Sequence, residues 1–257
     1  MVNNKRSKAS KAYWKANKFR HLINEAKRTG CHNIGRVTGH ECAHSIVAWL
    51  LTIVMFQMAT IIPKKGEYDG CTFIKVPKRY KRSELKNILI MTVAGKVAEE
   101  MLTDKSLGHI GDKKDWQEIT EELVKGSPRW KQRAPRRKSK KHKKKEKRKL
   151  TDWAKEEARQ LLEENWDNYI KLCEVLIEEK TIYASDMRRI FGFSKYEQVH
   201  PDKEWYEDEA ADWDGEDEED EDEDEEGVGG EEDDNESVIS FVIKRRLPAN
   251  VDYSVTM

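Results

Sequence analysis

The segment His40-Glu41-Cys42-Ala43-His44 runs directly into the apolar stretch Ile46-Val47-Ala48-Trp49-Leu50-Leu51, and no other feature constrains the chain as much. On a helix, histidines four residues apart lie one turn apart on the same face, with the intervening glutamate beside them. A zinc ion takes nitrogen ligands at about 2.0–2.1 Å in a tetrahedral array, so two imidazoles supply half of it and leave room for a water. Coordination lowers the pKa of that water toward roughly 7. Glu41 could then take its proton as it attacks a carbonyl and pass the proton to a leaving amine. The chemistry these residues point to is amide hydrolysis.

The 257 residues are 38% charged and 37% hydrophobic. That balance suits one or two domains with part of the chain unfolded better than a single large core. The net charge of -1 hides strong segregation: residues 1–20 carry Lys and Arg with no acid, 125–150 form a basic run, and 204–236 an acidic one. Cys31, Cys42, Cys71 and Cys173 form no C-x-x-C pair, and no N-terminal apolar stretch resembles a secretory signal. A reducing, intracellular and cytoplasmic setting is expected. Cys31 and His32, being adjacent, point to different faces of any regular element and make a poor ligand pair.

Residues 46–62 approach the lower length limit for a membrane span. Ile53-Val54-Met55-Phe56 and Thr60-Ile61-Ile62-Pro63 instead suit a buried helix running into a strand, so a membrane location is not favoured. Residues 70–77 read as a second strand, joined to the first by the polar turn 64–69. Helical spacing returns from Ser83 through Leu102, where Ala94, Gly95 and Ala98 allow close approach to a neighbour. It recurs over 113–124, and again over 150–180 as one long amphipathic helix. A short helix starts near Ala184, with Ser185 as its expected cap. The expected fold class is mainly α with a small antiparallel β-sheet.

These motifs, in this order, carry a family resemblance. H-E-x-x-H with its apolar helix, the strands at 59–63 and 70–72, the helix Val93-Ala94-Gly95-Lys96-Val97-Ala98-Glu99-Glu100, and the segment 108–120 look like the peptidase domain of FtsH, the M41 family. The closing helices at 150–191 are similar to that family's last region. The resemblance implies an FtsH-like zinc metallopeptidase in which Glu41 is the catalytic base and His40, His44 and a helix-opening aspartate bind zinc. Asp115 keeps the family's aspartate-to-threonine spacing, ending at Thr120. Read from the residues alone, Asp112, Glu99 and Glu100 are rivals for that third position, Glu99 and Glu100 better suited to orienting an imidazole. Ala43, Cys42 and Ala94-Gly95-Lys96 depart from the family's usual residues. No G-x-x-x-x-G-K-[ST] occurs, so the family's ATPase module is missing from these residues.

The implied organisation is a basic extension over 1–32, a metallopeptidase core over 33–125, a disordered basic insertion over 126–149, peptidase helices over 150–193 and a disordered acidic tail over 194–257. A flexible polypeptide substrate is expected, adding in extended form beside the strand 70–74 as a free edge. A separate unfoldase and a homo-oligomer are left open. The basic run around 136–145 suits nucleic acid, but with no interleaved aromatic beyond Trp130 a solvated insertion is favoured. His109 is expected near the cleft, and residues 238–243 form a strand-like patch with no functional reading. The competing class is a catalytically silent M41-like scaffold that works through its charged segments.

Overall fold

The helix that carries His40 and His44 spans Ile34–Leu50, and every residue from Gly35 to Trp49 is buried. A helix buried on all sides must be the centre of its fold, and the remaining elements pack round it. A computed structural model describes residues 17–30, 33–77, 81–107, 110–125, 139–199 and 238–245. Cys31, His32, His109, Trp130 and the acidic run lie outside the described residues.

In chain order the elements are α1 (Lys18–Thr29), α2 (Ile34–Leu50), β1 (Met55–Thr60), β2 (Gly70–Pro77), α3 (Arg82–Thr103), α4 (Ile110–Lys125), α5 (Lys140–Glu164), α6 (Trp166–Glu179), β3 (Thr181–Tyr183), α7 (Ala184–Phe191), α8 (Lys195–Val199) and β4 (Val238–Arg245). Mainly helical, the fold carries one small antiparallel sheet of order β3-β1-β2-β4. Helices α1, α3 and α6 and the strands β1 and β2 all pack on α2. Among the described residues no helix is long and apolar enough to cross a membrane.

Local chemistry sets the ends. The Asn33 side chain accepts from the Arg36 amide at 3.2 Å and starts α2. Gly30, at φ 64°, ends α1 in the left-handed conformation that glycine adopts without strain. The stretch expected as one helix over 150–180 is two. Asn165 leaves helical geometry (φ -114°, ψ 21°) and its Nδ2 donates to the Leu161 carbonyl at 2.8 Å, so α5 stops and α6 turns to pack on α2. At α7 the cap position is Tyr183 rather than Ser185, and the Asp186 carboxylate accepts from the Tyr183 amide at 3.1 Å.

Three expected boundaries move. The basic insertion is not wholly irregular: α5 begins at Lys140, capped by Ser139, and Lys147 pairs with Glu121 of α4. Lys and Arg are good helix formers, and the acid on α4 offsets their mutual repulsion. The N-terminal extension contains α1, whose Phe19, Ile23 and Ala26 are buried in the core. The tail contains β4, built from the β-branched run Val238-Ile239-Ser240-Phe241-Val242-Ile243. β4 pairs with β2 along its whole length, Gly70 opposite Arg245 and Pro77 opposite Val238. Hence β2 is an inner strand, paired on both sides, not the free edge expected for the substrate.

Close approach at Gly39 lets α3 and α6 reach α2. A Cβ there would lie 2.5 Å from Leu102 Cδ1 and 2.9 Å from the Tyr169 hydroxyl, which donates to the Gly39 carbonyl at 2.9 Å. In an isolated helix Gly→Ala gains about 1 kcal/mol. Here Gly39→Ala should instead lose about 1–3 kcal/mol through overpacking. Chemical denaturation of the two chains checks this; a stabilised variant would show that the helices are less tightly apposed.

Candidate metal centre

Burial decides the chemistry of the α2 histidines, since His40, Glu41 and His44 are all fully buried. Two of the four ring nitrogens are committed. His44 Nδ1 lies 2.8 Å from the Met91 carbonyl, which can only accept, so that nitrogen carries the proton. His40 Nδ1 donates to Glu99 Oε1 at 2.9 Å. The Nε2 atoms, 3.1 Å apart, are thereby left to present lone pairs to the same space. Asp112 Oδ2 completes the group, 3.0 Å from His40 Nε2 and 3.7 Å from His44 Nε2.

His40, His44 and Asp112 form the one metal-competent group among the described residues. Three features of the protein fit a cation there. The ligand atoms are 3.0–3.7 Å apart, and a tetrahedron with bonds of about 2.05 Å has edges of about 3.3 Å. Neither Asp112 oxygen makes a well-directed hydrogen bond, although both are buried, a cost that a cation would remove. Gly95 on α3 forms the floor: a Cβ there would come within 2.4 Å of His40 Nε2 and 2.5 Å of His44 Nε2. A larger residue would fill the gap between the ligand atoms. Electrostatics agree. Burial lowers the pKa of His40, yet Asp112 and Glu99 outweigh it and push the imidazole up to about 10. For Asp112, burial raises the pKa but the two histidines hold the carboxyl well below the usual range.

Glu41 is held from the sheet side. Its Oε2 accepts from the Thr72 hydroxyl of β2 at 2.7 Å, while Oε1 is buried without a hydrogen bond. Burial pushes its pKa up, against His40, His44 and the Thr72 bond. Glu99, fully buried on α3, fixes His40 and is itself fixed: Oε2 accepts from the Leu107 amide at 2.7 Å and lies 3.8 Å from Arg36 Nη1. Arg36 also donates to the Lys105 carbonyl at 2.9 Å. Glu100 turns away and pairs with Lys96 at 2.9 Å.

The expected ligand Asp115 is not in the group; Asp112 stands in its place. Helix α4 opens at Ile110, which puts Asp112 in the first turn, against α2. Asp115 is one turn further along, half-buried, and its carboxyl is pushed up to about 6 by burial and by the neighbouring Asp112 and Glu118. Residues three apart share a helix face, so the start of α4, which spacing alone does not give, decides which carboxylate reaches the histidines.

The chain matches no protein-family model, and no curated protein matches it.

Asp112→Ala should weaken metal binding far beyond the roughly 10–100-fold that loss of an outer partner costs, whereas Asp115→Ala should stay within that range. Gly95→Ala should also lose the metal, by filling the floor. Metal analysis of the three purified variants after dialysis against a weak chelator reads both effects. Loss of metal in the Asp115 variant with retention in the Asp112 variant would overturn the assignment.

Proposed function

We propose that the chain is a zinc-dependent metalloendopeptidase that hydrolyses unfolded or flexible polypeptides. One observation carries this reading: a buried carboxylate with an uncommitted oxygen, Glu41 Oε1, is next in sequence to His40 and interacts electrostatically with His40, His44 and Asp112, the three residues that could hold a metal. Two nitrogens and one carboxylate oxygen are a donor set that suits zinc, and three protein ligands leave a fourth position for water. A closed structural site would use all four. The order of motifs that resembles the M41 peptidases supports the same reading.

Bound zinc would supply Lewis acidity and an acidified water. Each side chain then has a task. His40 and His44 would hold the ion through Nε2, with Glu99 and the Met91 carbonyl fixing both ring orientations. Thr72 holds one oxygen of Glu41 and leaves the other to accept a proton from the attacking water and return it to the leaving amine. Burial raises the pKa of Glu41, and His40, His44 and the Thr72 bond oppose that shift.

No phosphate-binding loop occurs in the 257 residues. Substrates therefore arrive flexible, or are delivered by a separate unfoldase. Glu41→Gln should retain the metal and lower cleavage of an unfolded polypeptide by about 10²–10⁴-fold, and ATP should leave the rate of the purified chain unchanged. A Glu41→Gln chain that holds zinc and cleaves at the wild-type rate would refute the role of Glu41. Zinc binding with no cleavage by the wild type would refute the peptidase reading while leaving the metal centre intact.

A further inference from the structure

Resting on the peptidase reading, we propose that β4 is an intramolecular occupant of the substrate edge: residues 238–245 close the site, and must leave β2 before a polypeptide can pair there.

β4 runs along the strand that holds Glu41, with Thr72 flanked by Ala59 of β1 and by Ile243 of β4. Thr72, which donates to Glu41, is opposite Ile243 in the ladder, and Gly70 is opposite Arg245. A Cβ on Gly70 would come 3.1 Å from Glu41 Oε1, so at this point the β2 backbone runs against the carboxylate. Ile243 is fully buried. β4 also packs on α4, the helix of Asp112, and touches α2. It therefore fills the space between the strand that holds the base and the helix that supplies the third acid. An extended polypeptide using the unpaired groups of β2 would have to lie there.

Among the described residues, the other three strands pair without β4. β2 pairs with β1 over residues 71–75, and β1 pairs with β3, so three strands remain when β4 is removed. The connection from α8 to β4 runs through residues 200–237, which are dominated by Asp and Glu. A tethered strand with the run Val238-Ile239-Ser240-Phe241-Val242-Ile243 thus competes at high local concentration with any incoming extended chain.

Two measurements on the full chain test the proposal. In Phe73→Cys/Val242→Cys the new cysteines face each other directly across the β2–β4 ladder, close enough to be bridged. The oxidised form should cleave an unfolded fluorescent polypeptide at least tenfold more slowly than the same variant after reduction, at equal zinc content. Equal rates with the bridge verified by mass spectrometry would overturn the proposal. Independently of turnover, backbone hydrogen exchange is followed in zinc-loaded Glu41→Gln with excess unfolded polypeptide. Amides 238–245 should exchange at least tenfold faster than without the polypeptide, while 70–77 remain protected. Unchanged protection of 238–245 would make β4 a permanent strand and overturn the proposal. If the peptidase reading fails, no form cleaves, and the exchange experiment still reports whether a polypeptide displaces β4.

Discussion

Two imidazole lone pairs 3.1 Å apart in a site with no water contact are a repulsive arrangement unless something positive lies between them. The protein enforces that proximity from three directions. The helical spacing of His40 and His44 puts the rings on one face, the Met91 carbonyl and Glu99 fix both Nδ1 protons on the far side, and the missing side chain at Gly95 keeps the gap open. Without an ion, the raised pKa of His40 lets a proton take the same role. Proton and metal compete for one position, so metal binding must release the proton. Since the folded-state pKa of His40 is raised to about 10, the proton competes fully at neutral pH and less as pH rises through that value.

The carboxylates around this gap do different work because their partners differ. Both Glu99 oxygens have partners, His40 on one side and Leu107 with Arg36 on the other, so its charge is spent and its position fixed. Asp112 and Glu41 each keep at least one buried oxygen with no hydrogen bond. Burying an uncompensated carboxylate costs several kcal/mol. A cation held between the histidines and Asp112 would offset that cost.

Much of this was legible in the residues. H-E-x-x-H at a helix that turns out to be wholly buried, small residues at Gly95 where two helices touch, and a mainly helical fold with a small antiparallel sheet follow from spacing and from residue volume. The polar support expected from Glu99 or Glu100 falls to Glu99, and only the packing of α3 on α2 chooses between them. Asp112 over Asp115 depends on where α4 starts. The break at Asn165 was hidden because apolar spacing continues through it, while a single side chain bonding to the Leu161 carbonyl ends the helix. β4 was the largest omission as an element: its residues read as a strand, but pairing across residues 78–237 of chain leaves no local signal.

That long-range pairing changes what the small sheet is for. With β1 on one side of β2 and β4 on the other, Thr72 is fully buried, and so its hydroxyl has no water to compete for its bond to Glu41. A hydrogen bond to the charged form of a carboxylate favours that form, and here it works against the burial that favours the neutral one. Under the proposed exchange of β4 for a polypeptide, the Thr72 bond to Glu41 would stay in place while the strand beside it changes, so the carboxylate keeps its position as the β2 edge opens.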